Sequence, residues 1–159
     1  MKIKVKDKVP EIIFFYMSES GPKTISSNEI FAGKKVILVG VPGAFTPTCS
    51  LEHLPGYIDR KKEIFEKGID KIVFISVNDP FVMHEWKKSK SEEEIIFLSD
   101  STGEFAEKTG LNMDLSVIGL GTRLSRFALV IEDNVVQNIF DEEGGGFEKS
   151  SAENVLKVI

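Results

Sequence analysis

Two runs of β-branched and apolar residues constrain this chain most: Lys35-Val36-Ile37-Leu38-Val39-Gly40-Val41 and Lys71-Ile72-Val73-Phe74-Ile75-Ser76-Val77. Neither alternates apolar with polar, so each reads as a strand buried on both faces, and a sheet of such strands needs cover on both sides. Between them, Thr48 to Lys67 has the spacing of one long amphipathic helix. Leu51, Leu54, Ile58, Ile64 and Phe65 are its apolar positions, and Pro55-Gly56 predicts a kink. Strand, helix and strand in that order make a right-handed crossover between parallel strands.

The flanking segments extend the pattern. Ile12 to Tyr16 reads as a strand, and Ser27-Asn28-Glu29-Ile30 opens a short helix ending near Gly33. Pro80 to Lys88 is a helix with proline in its first turn, Ile95 to Leu98 a strand, and Gly103 to Thr109 a helix. Arg126 to Ile131 and Val135 to Phe140 form a hairpin, because Asp133-Asn134 tolerates positive φ at a tight turn, and a last helix starts at Ser151. The fold class is therefore α/β, a mixed central sheet flanked by helices. At 159 residues the chain falls within the roughly 100–200 expected of one domain.

Charge and composition exclude several functions. Twenty Lys and Arg against 25 Asp and Glu give a net charge of −5, the wrong sign for a general binder of nucleic acid or anionic membrane. The longest run without charged or polar side chains, Val36 to Phe45, is far short of the roughly 20 residues of a membrane span. Met1 to Pro10 alternates lysine with isoleucine and valine and has no signal-peptide core, so the expected location is cytoplasmic or a reducing organelle, any targeting segment having been removed. Gly119-Leu120-Gly121 lacks the strand and helix start of a nucleotide fingerprint, and neither a cofactor nor a metal is expected.

The chain has one cysteine, Cys49, in Pro42-Gly43-Ala44-Phe45-Thr46-Pro47-Thr48-Cys49-Ser50-Leu51-Glu52-His53-Leu54-Pro55-Gly56. This segment joins the first buried strand to the long helix, at the carboxyl edge where open α/β sheets place their sites. A cysteine in a helix's first turn meets unpaired N–H groups and the positive end of the helix dipole, which favour thiolate over thiol. The flanking Thr46, Thr48, Ser50, Glu52 and His53 argue against an apolar pocket around it. Thr46 and Cys49 have the spacing of a Cys-x-x-Cys motif with a hydroxyl in place of the first sulfur, which binds oxygen but forms no disulfide. His53, at i+4, shares a helix face with Cys49. The pair reads as a hydrolase dyad, as half a metal site, or as a histidine that orders the loop by hydrogen bonds.

Pro42-x-x-x-Thr46-x-x-Cys49 resembles the active-site motif of the peroxiredoxins, and Pro42 to Cys49 together with His53-Leu54-Pro55-Gly56 resembles their type-5 branch. Ser76-Val77-Asn78-Asp79-Pro80-Phe81-Val82 with Trp86, and Arg123-Leu124-Ser125-Arg126-Phe127, are also similar to that branch. The resemblance implies a single thioredoxin-like domain over residues 1–159. Cys49 would be the peroxidatic thiolate that becomes a sulfenic acid. Thr46 would hold the peroxide, Arg126 would stabilise thiolate and transition state, Pro42 would shield the site from water, and the Thr48 and Cys49 amides would complete the donors. Arg123 is the alternative to Arg126, and His53 would order the loop.

Relatives with two cysteines carry a resolving cysteine near Ser150; serine forms no disulfide. With Cys49 alone, the resemblance implies reduction by an external thiol such as glutathione, glutaredoxin or thioredoxin through a mixed disulfide. The expected activity is reduction of hydrogen peroxide, organic hydroperoxides and peroxynitrite by a homodimer. A non-catalytic redox sensor or binding module on the same fold is the alternative, and a Cys–His hydrolase ranks below both. Phe81, Val82 and Trp86 read as core of the helix after Asn78-Asp79, or as part of a dimer interface.

Overall fold

The computed structural model describes residues 2–159. Strands β1 (Ile13–Ser18) and β2 (Gly21–Ser26) lead into a short helix, α1 (Ser27–Phe31), and then β3 (Lys35–Gly40). A π-helical turn, Cys49–His53, runs directly into α2 (Leu54–Glu66), which returns the chain to β4 (Lys71–Ser76). Next come α3 (Pro80–Ser89), β5 (Ile96–Ser99) and α4 (Glu104–Thr109), then short strands β6 (Asn112–Asp114) and β7 (Thr122–Leu124). The hairpin β8 (Phe127–Glu132) and β9 (Val135–Asp141) and a terminal helix, α5 (Ala152–Leu156), complete the chain.

Seven strands form one sheet in the order β2-β1-β5-β4-β3-β8-β9, while β6 and β7 pair separately. β3, β4 and β5 are parallel; β1 and β8 flank them antiparallel. The two apolar runs are thus central strands, and alternate residues serve opposite cores. Val36, Leu38, Val73 and Ile75 join Phe14, Phe31 and Phe105 on one side, with α1 and α4. Ile37, Val39, Ile72 and Phe74 join Leu54, Tyr57, Trp86 and Val155 on the other, with α2, α3 and α5. Burying a side chain of this size contributes about 1.5–3 kcal/mol, so the two faces are the main stabilising term.

The hairpin turn is as expected, with Asp133 and Asn134 both at positive φ, 46° and 68°. Asp79 caps α3 through the Val82 amide at 2.9 Å, with Pro80 in the first turn. Two expectations need correction, and one strand was not anticipated. The single helix from Thr48 to Lys67 is divided, because Cys49–His53 is wound as π and Leu54 donates to the Cys49 carbonyl five residues back. Leu51, assigned to the apolar face, is 72% exposed, because the wider turn rotates it outward. The first hairpin has a second strand, β2, which carries Gly21 and Pro22; proline is tolerated because β2 is the sheet edge.

Candidate active site

The site is built where β3 ends. Gly40 pairs with Phe127 across the β3–β8 ladder, and a Cβ on Gly40 would lie 2.1 Å from the Phe127 ring. Only glycine permits that approach, and the register sets Arg126, the residue before β8, beside the start of the cysteine loop. Asn78, from the loop after β4, accepts the Ala44 N–H at 2.8 Å. Phe45 follows at φ +66°, a left-handed conformation that turns the chain toward the helix. Thr46 Oγ1 donates to the Gly43 carbonyl at 2.7 Å, so its lone pairs remain for a donor. Arg123 donates to the carbonyls of Pro42 and Leu120, both at 3.0 Å, and so ties β7 to the loop. Pro42 is buried.

Ser50 N–H donates to the Thr46 carbonyl at 2.9 Å, which makes Thr46 the effective cap and Pro47 the first residue of the turn. Among the described residues the Thr48 and Cys49 N–H groups have no acceptor. They are first-turn amides of the kind that bind developing negative charge. Pro55 has no N–H to give back, and the Ser50 carbonyl is instead bound by Lys90 Nζ at 2.7 Å. Trp86 Nε1 donates to Ser50 Oγ at 3.0 Å. Two bonds from the α3 end of the molecule therefore clasp the π turn.

Cys49 is fully buried, which corrects the expectation from its polar neighbours. His53 is buried with it and Ser50 Oγ accepts from Trp86, while the thiol lies in the core shared with Leu54, Tyr57 and Phe74. Arg126 reaches it: Nη2 donates to Cys49 Sγ at 3.3 Å. The same guanidinium places Nη1 3.0 Å from His53 Nδ1, and His53 Nε2 lies 3.0 Å from the Ser150 carbonyl. An arginine only donates and a carbonyl only accepts, so His53 is the neutral Nε2–H tautomer. Burial, then the Arg126 charge, pushes its pKa down to about 3. Tyr57 OH donates to the same carbonyl at 2.8 Å, and burial pushes the Tyr57 hydroxyl up.

Arg126 is 3% exposed, and among the described residues no carboxylate forms an ion pair with it. A buried cation without an acid needs another counter-charge. Of the two arginines, Arg126 contacts sulfur, and Arg123 holds the loop. His53 does not serve as a hydrolase base, because Arg126 and Ser150 occupy both ring nitrogens. Asn78, Tyr57, Lys90 and the Ser150 carbonyl were not singled out from sequence as parts of the site. Asn78 lay within a recognised motif, and Tyr57 is four residues past His53; the other two carry no local signal.

The Redoxin family profile matches residues 4–156. The chain is 48% identical over 159 residues to Peroxiredoxin-2D of Arabidopsis thaliana, covering 99% of this chain and 98% of that one. The chain belongs to the peroxiredoxins. Reduced Prx3 of Vibrio vulnificus, solved in complex with hydrogen peroxide, matches with a TM-score of 0.93 at 41% identity over 98% of each chain. The Plasmodium falciparum antioxidant protein, a 1-Cys peroxiredoxin, matches at 0.89 and 30% identity over 96% of each chain. Relatives named as chloroplastic are among the matches. The sheet and its helices are accordingly a thioredoxin-like fold. This peroxiredoxin is of the type-5-like, one-cysteine form, and it is a thiol-dependent peroxidase.

Proposed function

We propose that Cys49 is the peroxidatic cysteine and that Arg126, Thr46, Pro42 and the Thr48 and Cys49 amides form the peroxide site, with His53 and Arg123 in support. The observation that carries this reading is the 3.3 Å contact between Cys49 Sγ and a buried arginine that has no carboxylate partner. The thiolate is the counter-charge of that guanidinium. Hydrogen peroxide or an organic hydroperoxide enters with its O–H donating to Thr46 Oγ1, whose own proton is committed to Gly43. The Cys49 thiolate attacks the hydroxyl oxygen, an S–O bond forms and the O–O bond breaks. The departing oxygen gathers negative charge, faces the Arg126 guanidinium and the two free amides, and leaves as water or alcohol after taking a proton from solvent. Cys49 is left as a sulfenic acid.

An external thiol then condenses with the sulfenic acid, releasing water and forming a mixed disulfide. A second thiol displaces Cys49 as thiolate and carries away the disulfide. The single cysteine supports this route, and glutathione, with or without glutaredoxin, or thioredoxin supplies the thiols. We place the protein in a reducing compartment, the cytoplasm or an organelle, and treat residues 1–159 as one domain working in a homodimer. No helix among the described residues is long and apolar enough to cross a membrane.

Arg126→Met tests the assignment. Removing a donor aimed at developing charge costs about 100–1,000-fold in rate, and Arg126→Lys fails to restore it because an ammonium does not reach His53 and sulfur together. A folded Arg126→Met protein that Cys49 still oxidises at the wild-type rate contradicts the role.

A further inference from the structure

Glu142 follows β9, and its side chain makes no hydrogen bond to Cys49, His53 or Arg126. Its Oε2 instead accepts three: from the Ser150 N–H at 2.7 Å, the Ser150 hydroxyl at 2.8 Å and the Glu148 N–H at 2.9 Å. Burial opposes the charged form of Glu142, but donors from Ser150 and the 148–149 backbone outweigh it and hold the carboxyl below its usual range. The backbone on either side of Glu142 belongs to the arginine: Glu142 N–H donates to the Arg126 carbonyl at 3.0 Å, and Arg126 N–H to the Gly144 carbonyl at 2.8 Å.

The loop from 142 to 150 is thus pinned at both ends by one residue. At its start it rides on Arg126; at its end Ser150, fully buried, is drawn back by the carboxylate. Ser150 stands where two-cysteine relatives are expected to carry their resolving cysteine, and here its carbonyl takes the His53 Nε2–H and the Tyr57 hydroxyl. Without that carbonyl the buried Nε2–H loses its acceptor, and the Nε2–H tautomer is held by the Arg126 Nη1–H alone. A proton on Nδ1 would face the Arg126 Nη1–H, donor against donor, and displace the guanidinium from Cys49 Sγ.

We propose that Glu142 is a positioning residue for the Cys49 chemistry: by holding Ser150 it aims the Ser150 carbonyl at His53, fixes the Nε2–H tautomer and thereby aligns Arg126 on the thiolate. Glu142 makes no hydrogen bond to the sulfur, and its negative charge also bears on His53, opposing the downward push of burial and Arg126, a direct effect that Glu142→Gln removes while it keeps the acceptor. The proposal rests on the assignment of Cys49 and Arg126 given above.

Two readouts separate it from that assignment. Nitrogen-15 spectra of the His53 imidazole in the full-length reduced protein report the tautomer independently of peroxide. The wild type is expected to give the Nε2–H pattern alone between pH 6 and 8, and Glu142→Ala a mixture of both tautomers. Oxidation of Cys49 by hydrogen peroxide is expected to slow by about tenfold or more in Glu142→Ala, the scale of a small misplacement of a reacting group. Glu142→Gln, which keeps an acceptor oxygen, is expected to restore the tautomer and most of the rate. Ser150→Ala removes one of the three bonds and keeps the carbonyl, and is expected to produce a smaller shift of both kinds. A folded Glu142→Ala protein with the wild-type tautomer and rate overturns the proposal. So does a folded Ser150→Ala protein with neither change when Glu142→Ala does not fold. A tautomer change in a protein whose wild type does not react with peroxide contradicts the peroxide-site reading and leaves the positioning intact.

Discussion

In the proposed site a buried guanidinium with no ion-paired carboxylate among the described residues governs the chemistry at Cys49, and the residues around it each remove one alternative. Thr46 spends its proton on Gly43, so under the proposed assignment it meets a peroxide as an acceptor. Thr46→Val is expected to slow Cys49 oxidation by about 100-fold, within the range of other lost transition-state hydrogen bonds, while Thr46→Ser keeps most of the rate. Comparing the two by stopped flow with hydrogen peroxide checks this. His53 supplies a second prediction. It titrates near 3 in the folded protein against 6.5 in an unfolded chain, so between those values only the unfolded chain takes up the proton. Its contribution to stability is complete above pH 6.5 and falls as pH is lowered, by up to about 1.4 kcal/mol per pH unit. The difference in urea unfolding free energy between wild type and His53→Gln should shrink along that slope from pH 6.5 downward. A difference that stays constant with pH contradicts the buried neutral tautomer.

At the scale of elements, the central strands and the handover from β3 to the cysteine turn were legible because their signals are local. An unbroken apolar run means two buried faces, and Asp133-Asn134 means a tight turn. The Pro42 to Cys49 motif and Arg126 were legible as well, through resemblance. β2 was not, since Gly21-Pro22-Lys23-Thr24 lacks apolar alternation and the strand exists because β1 offers it an edge. The π turn was hidden for a related reason: Pro55 announces a break, but the donor that replaces its missing N–H is Lys90, thirty-five positions along the chain. Nor does a polar local sequence disclose a buried thiol when the burial is supplied by α2 and β4. Two changes test these contacts by thermal or urea unfolding. Lys90→Met leaves the Ser50 carbonyl without its donor and is expected to cost about 1–3 kcal/mol. Gly40→Ala drives a Cβ into the Phe127 ring and is expected to cost about 1–3 kcal/mol or more, the usual scale of overpacking.

Across the whole molecule, five of the eight exposed large apolar side chains among the described residues lie on segments tied to the cysteine loop. Phe45 lies in the loop itself, Leu51 on the π turn, and Phe81 at the start of α3, just past the Asn78 that holds Ala44. Val117, 99% exposed, and Ile118 lie in the connection between β6 and β7, the strand that Arg123 ties to Pro42. Apolar exposure on these segments suits a partner surface, and the partner we propose is a second copy of the chain. Light scattering should give a dimer for the wild type and a shift toward monomer for Ile118→Glu; a strict monomer at working concentration removes the dimer. The proposed peroxide site depends on Cys49 being preorganised for peroxide. One measurement addresses that directly: fully reduced protein is mixed with one equivalent of hydrogen peroxide in a stopped-flow instrument, and the product is identified by intact mass beside Cys49→Ser. Fast gain of a single oxygen that disappears in Cys49→Ser is the predicted result. Oxidation no faster than that of a small free thiol would contradict it.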